Sequence, residues 1–189
     1  MSPQAFAALF SFLLVVVVTG FLLVATYNSV VTLGQQASKA WANIDVSLKQ
    51  RHDELPNLVE AVKGLMAFEQ ATLMRVTKLR AAYSSTEPIP TQAATSEATS
   101  SAVRHLFAVV ERYPDIKSQA NVLDLQRETQ RLEDIIADRR ELYNDTVYRF
   151  NTRIGQFPSN TLTRLFGWTA RPFFSAPGEL DTPAVQLTE

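Results

Sequence analysis

Cysteine is absent from the 189 residues, and histidine occurs only twice. The first absence excludes disulfides, a thiol nucleophile and any Cys-ligated zinc or iron–sulfur site. The second excludes a three-histidine metal centre. A surplus of charge is missing too: 18 Lys and Arg stand against 19 Asp and Glu, a net charge of -1. A nucleic-acid binder carries a clear basic excess, so that class is set aside. Glycine is scarce, with six residues, and no run of five or more residues alternates between apolar and polar as a strand would. The most informative absence is local. Every charged side chain lies at or beyond Lys39, and the first 38 residues carry none.

What fills that uncharged stretch is hydrophobic. Ala5 to Ala25 is built from Leu, Val, Phe and Ala, with Ser11, Thr19 and Gly20 as its only polar or small interruptions. As a helix it spans roughly 30 Å, the thickness of a bilayer's hydrocarbon core. A buried core helix would show a polar stripe, and none is present. A cleaved secretory signal opens on Lys or Arg and has an apolar core of roughly 7–15 residues; this chain opens Met-Ser-Pro-Gln and its run is longer. The expectation is an uncleaved, single transmembrane helix over residues 1–26. Lys39, Lys49 and Arg51 follow the span while residues 1–4 carry no basic group, so the positive-inside rule puts the C-terminal bulk in the cytoplasm. The bias is small, and a periplasmic bulk is the alternative.

Beyond the span the pattern is helical throughout. Val30, Leu33, Ala37, Trp41, Ile44 and Leu48 recur at spacings of three and four, and Pro56 predicts an end to this helix near Asp53. A second stripe, Leu58, Val62, Leu65, Glu69, Leu73, Val76 and Tyr83, predicts a helix with Pro56 in its first turn. Ser84–Thr95 reads as a loop. A third helix is expected over 96–113, with Ala102, Leu106, Val109 and Val110 inside, and a fourth over 122–156. The stripe of the fourth runs through Leu125, Thr129, Leu132, Ile136, Arg139, Tyr143, Thr146/Val147, Phe150, Ile154 and Phe157, the alternation of antiparallel bundle packing. The expected fold is all-α: the membrane helix, then an antiparallel, up-down-up-down four-helix bundle of long helices over 27–157. An amphipathic, aromatic segment follows over 158–174, and a disordered tail over 175–189.

The usual catalytic signatures are missing. Neither His52 nor His105 has a Glu three residues before it, so the di-iron motif of helical bundles is absent. There is no phosphate-cradling glycine loop, no Gly-x-Ser-x-Gly and no His-Glu-x-x-His. No enzyme activity, cofactor or metal is expected. Three groups of residues remain as candidates. Asp45, Glu69 and Arg139 put charge at the helix seams, where an unpaired charge costs several kcal/mol. Arg139 is therefore expected to meet Glu69 or Asp45, as a register device or a ligand site. Arg51, His52, Asp53, Asp115 and Lys117 fall at the two turns expected to be farthest from the membrane and form a candidate partner surface. Leu162, Arg164, Leu165, Phe166, Trp168, Arg171, Phe173 and Phe174 suit a membrane–water interface, or else fold back to cap the bundle.

Several blocks resemble one family. Tyr27-Asn-Ser-Val-Val-Thr-Leu33, Ala40-Trp-Ala-Asn-Ile-Asp-Val-Ser-Leu-Lys-Gln-Arg-His-Asp53 and Leu55-Pro-Asn-Leu-Val-Glu-Ala-Val-Lys-Gly64 resemble the LemA family of bacterial membrane proteins. So do Arg139-Arg-Glu-Leu-Tyr-Asn144, Tyr148-Arg-Phe-Asn-Thr-Arg-Ile154, Phe157-Pro-Ser-Asn160 and Arg171-Pro-Phe-Phe174. The blocks follow in order along nearly the whole chain after the span. Gln50 departs from the pattern, where the family often has a basic residue. The resemblance implies a bacterial inner-membrane protein with one N-terminal membrane helix, an antiparallel helical bundle and no established enzyme activity. It also implies a link to membrane proteases of the HtpX type and to magnetosome-membrane relatives, hence a role in membrane protein quality control or membrane organisation. Two functions from different classes are carried forward. One is a membrane-tethered interaction or scaffold protein, self-associating or bound to other membrane proteins. The other is a sensor or small-ligand-binding bundle built on the polar seam.

Overall fold

The computed structural model describes residues 3–175, apart from the side chains of residues 3, 5, 7, 8 and 65–68; the tail expected beyond residue 175 lies outside the described residues. The described chain is all helical, without a strand among those residues. Helix α1 spans Pro3–Ala61, a 3-10 turn spans Lys63–Leu65, and α2 spans Met66–Ala82. Helix α3 is Ile89–Val110, α4 the single turn Pro114–Lys117, α5 Ala120–Gly155, and α6 Ser159–Phe166.

Three expected boundaries move. The first helix does not stop near Asp53, and Pro56 lies inside α1 rather than opening a second helix. An internal proline costs about 3 kcal/mol or more, yet the residues around it are needed where the helix puts them. Leu48 is 2% exposed, Leu55 3%, Leu58 1% and Val62 0%. Burying such side chains stabilises by about 1.5–3 kcal/mol each, which outweighs the proline. The turn therefore comes after Ala61, and Gly64 packs there with a virtual Cβ 3.4 Å from Ile116 Cδ1. The loop expected over 84–95 is shorter, because α3 begins at Ile89 with Pro88 as its N-cap and Pro90 in its first turn. Proline is well suited to that position, where its missing N–H would lack a helical partner anyway. Within α2, Glu69 leaves helical geometry (φ -132, ψ 38) and kinks the helix.

Contacts gather the chain into two compact units, one formed by Ala40–Asn144 with Pro172–Glu189, the other by Met1–Lys39 with Asp145–Arg171. In the first, four helices feed one core. Leu55 and Leu58 come from α1, Val62 from the turn just after it, Leu73 and Val76 from α2, Ala102 to Val110 from α3 and Val122 from α5. Tyr143, 1% exposed, lies against Trp41 with ring centroids 5.6 Å apart. In the second unit the core is Val30, Phe150 and Ile154, with Leu33 and Trp168 packed on it. Gly34 permits a close approach there, since a Cβ would stand 3.4 Å from the Phe150 ring.

The apolar run of α1 is exposed. Phe10 is 67% accessible, Phe21 72% and Val24 59%, and burial begins only at Thr26. It is the one helix among the described residues long and apolar enough to cross a membrane.

Candidate functional site

The largest buried charge in the first unit is Arg51, 4% exposed. Its Nη1 donates to Ser100 Oγ at 2.8 Å and to Glu133 Oε1 at 2.9 Å. Its Nη2 donates to Ser96 Oγ at 2.8 Å and to the Ser96 carbonyl at 3.3 Å. Ser100 Oγ in turn donates to Glu133 Oε2 at 2.5 Å. The carboxylate is thus held by a guanidinium and a hydroxyl, and hydrogen bonds to ionised groups are worth about 1.5–3 kcal/mol each. This network ties α1, α3 and α5 together. A cleft of about 500 Å³ opens beside it, lined by Ser96, Ser100 and Glu133 and further by Glu97, Arg104 and Arg140.

Sequence reasoning placed Arg51 at a turn and missed Ser96, Ser100 and Glu133. A signal was available. Reading through Pro56, the α1 stripe continues as Leu48, Arg51, Leu55, Leu58 and Val62 without losing its 3–4 spacing, so Arg51 occupies a core position. On α3, Gln92, Ser96, Thr99, Val103, Leu106 and Val110 keep the same spacing, and all are buried. Ser96 of that stripe and Ser100 one turn on supply acceptors for Arg51, and the aliphatic half of the stripe builds the core.

The expected seam does not assemble. Arg139 Nη1 donates to the Asn43 carbonyl at 2.7 Å and to Ser47 Oγ, so it joins α5 to α1 through neutral oxygens. Glu69 pairs with Arg112 at 3.0 Å; the kink at Glu69 takes it out of the helical stripe. Asp45 accepts from the Tyr83 hydroxyl at 3.4 Å. Burial, together with the Asp45 carboxylate, pushes the Tyr83 phenol up to about 12 from the ordinary 10. The His52 ring lies 5.1 Å from the Tyr83 ring, and its Nδ1 is 3.2 Å from Asp53 Oδ1.

The expected partner surface at the far turns needs the same correction. Arg51, His52 and Asp53 lie inside a helix that runs on to Ala61. Asp115 and Lys117 do occupy the short connection between α3 and α5, where Lys117 bonds Glu111. Ile116, which stands between them, lines a cleft with Glu60, Lys63 and Gly64, a cleft that Arg51 to Asp53 do not line.

The C-terminal segment separates by side chain. Leu162 is 8% exposed and Phe174 2%, both buried in the protein and not free for lipid. Two asparagines of α5 hold the extended stretch that follows α6. Asn151 Nδ2 donates to the Arg171 carbonyl at 2.9 Å, and Arg171 N–H donates to Asn151 Oδ1 at 2.8 Å. Asn144 treats Phe174 in the same way, at 3.2 and 2.8 Å. Tyr143 OH donates to the Pro172 carbonyl at 2.9 Å. Each carboxamide offers one donor and one acceptor to one residue's main chain, as a neighbouring strand would. Arg171 also reaches Ser38 Oγ at 2.9 Å and lies 5.3 Å over the Phe150 ring, so its charge is engaged by protein. Phe173 is half-buried. Trp168 is half-buried too, against Tyr27 and Phe166. Of the eight expected interface residues, Arg164, Leu165 and Phe166 remain exposed.

Comparison with known proteins agrees with these features. The family model described as LemA family matches residues 40–187. The chain is 25% identical to magnetosome protein MamQ 2 and, equally, to magnetosome protein MamQ 1 of Paramagnetospirillum magneticum, over 86% of this chain and 70% of theirs. It is 23% identical to magnetosome protein MamQ of Magnetospirillum gryphiswaldense over the same shares. With an exposed apolar helix at its N-terminal end, an all-helical body and a family match over most of its length, this membrane-associated chain belongs to the LemA family.

Proposed function

We propose that this protein is a single-pass anchor-and-bundle adaptor of the bacterial inner membrane, which binds other membrane proteins or copies of itself and performs no catalysis. The observation that carries this reading is the continuity of α1. Its exposed apolar part and its core-forming part are one helix, Pro3–Ala61, so the element that enters lipid also organises the body. Apolar surface of this size facing water would be unstable, and a bilayer is the natural cover. We read α1, α2, α3 and α5 as an antiparallel four-helix bundle, a reading supported by their shared core. The lack of cysteine and the poverty in histidine support binding over bond-making. The magnetosome relatives and the family's link to HtpX-type proteases support work in organising a membrane or in its protein quality control, with a scaffold's oligomers and partners.

The test has three parts. Carbonate extraction leaves the chain in the membrane pellet. A reporter fused after Glu189 reads as cytoplasmic. Mild solubilisation recovers a homo-oligomer or a stoichiometric membrane partner. A chain released by carbonate, or one that stays monomeric and captures nothing, overturns the reading.

One observation favours a second reading, a small-ligand sensor. The cleft beside Arg51 carries fixed hydroxyls and carboxylates and has the volume of a ligand site. The seam first expected to serve this role is dispersed, so the cleft takes its place. Thermal stabilisation of the protein by a small polar metabolite, lost in Ser100→Ala, would establish this function.

A further inference from the structure

We propose that α6 is a second membrane contact, seating its exposed edge in the headgroup region of an anionic bilayer beside the point where α1 leaves the lipid. The proposal rests on the anchor reading of α1 and adds to it a site outside the apolar run.

The argument starts from Tyr27, two residues after the apolar run ends. Its ring centroid lies 4.9 Å from Phe166 and 5.5 Å from Trp168, and those two rings stack at 5.4 Å. Tyr and Trp prefer the membrane–water boundary, where one end of the ring is apolar and the other wet. The cluster fixes α6 at the depth of Tyr27, the first turn beyond the hydrocarbon. Gly167 makes this possible: its left-handed φ of 68 ends α6, and Trp168 N–H returns to the Thr163 carbonyl at 3.2 Å.

The helix then divides into two faces. Ser159 and Leu162 are buried. Leu165 is 75% exposed, Phe166 51%, and Phe157, just before the helix, 83%. An apolar residue four-fifths in water is ordinary singly, but these three flank a segment already held at a membrane exit. Charge points the same way. The unit that contains α6 has five basic side chains, Lys39, Arg149, Arg153, Arg164 and Arg171, against the single acid Asp145, so it carries +4. The rest of the chain carries 13 basic and 18 acidic groups, hence -5. Basic groups near a leaflet of anionic lipid are drawn to its negative surface potential.

The absence of native cysteine allows a single reporter. Leu165→Cys in the full chain is labelled with an environment-sensitive fluorophore and reconstituted into vesicles of phosphatidylcholine and phosphatidylglycerol, 3:1, with or without brominated acyl chains. Phe21→Cys reports the span, and Gln130→Cys reports the exposed face of α5. The expected result is at least a twofold loss of emission at 165 on bromination, a larger loss at 21 and none at 130. Loss at 21 with none at 165 overturns this proposal and leaves the anchor standing. No loss at 21 overturns the anchor itself. A blue shift at 165 without bromine quenching places a protein surface over α6 and overturns the lipid contact. In vesicles of phosphatidylcholine alone the loss at 165 is expected to shrink, and an equal loss there overturns the electrostatic part.

Discussion

At Arg51 four hydrogen bonds converge on one guanidinium, while Arg139, also turned inward, meets a carbonyl and a hydroxyl. The contrast predicts unequal costs. Arg51→Met leaves the Glu133 carboxylate without its cation and Ser96 without its donor, and breaking a buried pair this way costs roughly 3–5 kcal/mol. Glu133 is one-fifth exposed, so the lower end of that range is expected. Arg139→Met leaves no charge stranded and costs less than about 1 kcal/mol. Denaturant titration of the two variants side by side checks the order, and equal losses would refute it. Tyr83 supplies a second prediction at this scale. Its phenol binds its proton more tightly in the folded than in the unfolded chain, so the folded state holds more protons at alkaline pH. The associated stability is intact below pH 10 and is lost as pH rises toward about 12. The difference between wild-type and Tyr83→Phe tyrosinate absorbance, followed against pH, is expected to have its midpoint near 12. A midpoint near 10 would show that Asp45 and burial do not act on this ring.

Among the elements, α1 is the one whose sequence contains both a strong signal and a misleading one. The stripe from Val30 to Leu48 was legible, and each of its positions is buried or half-buried. Pro56 was read as a boundary because a proline penalises the helix locally, whereas the gain from Leu55, Leu58 and Val62 depends on partners from α2 and α3 that no local pattern displays. The same error hid the site, since ending the helix at Asp53 turned Arg51 from a core position into a loop residue. Ser84–Thr95 was misread for a related reason: its Ser, Thr and Pro content looks like a loop, yet Pro88 and Pro90 sit where α3 starts and Gln92 and Ala93 are buried in its first turns. On α5 the stripe held from Leu125 to Ile154 and failed only at Phe157, past the helix end, where the ring is exposed. Gly34 yields a prediction for α1. An interior helical glycine costs about 1 kcal/mol relative to alanine, and a Cβ there would meet Phe150 at van der Waals distance. Gly34→Ala is therefore expected to be neutral or to raise the melting temperature by a few degrees, whereas Gly34→Leu, which must push the ring aside, lowers it. Calorimetry on the two variants decides, and a large loss with alanine would mean that the approach is tighter than the geometry indicates.

For the molecule as a whole, the core that α1, α2, α3 and α5 share is complete within Ala40–Asn144, whereas the smaller core of Val30, Phe150 and Ile154 joins residues more than a hundred positions apart. A chain stopped after Asn144 is expected to remain in membranes through its apolar run, yet to be cut by trypsin at Lys39 much faster than the full chain, because nothing then covers the Val30 and Gly34 face of α1. Equal cleavage rates would show that residues 145–171 contribute nothing to protecting that segment. The division also bears on synthesis. Residues 26–39 of α1 are made more than a hundred residues before the segment that covers them, so that stretch stays half-clothed until residues 145–171 have been synthesised. A product stalled before residue 145 displays an uncovered apolar strip, and synthesis of residues 145–171 closes it.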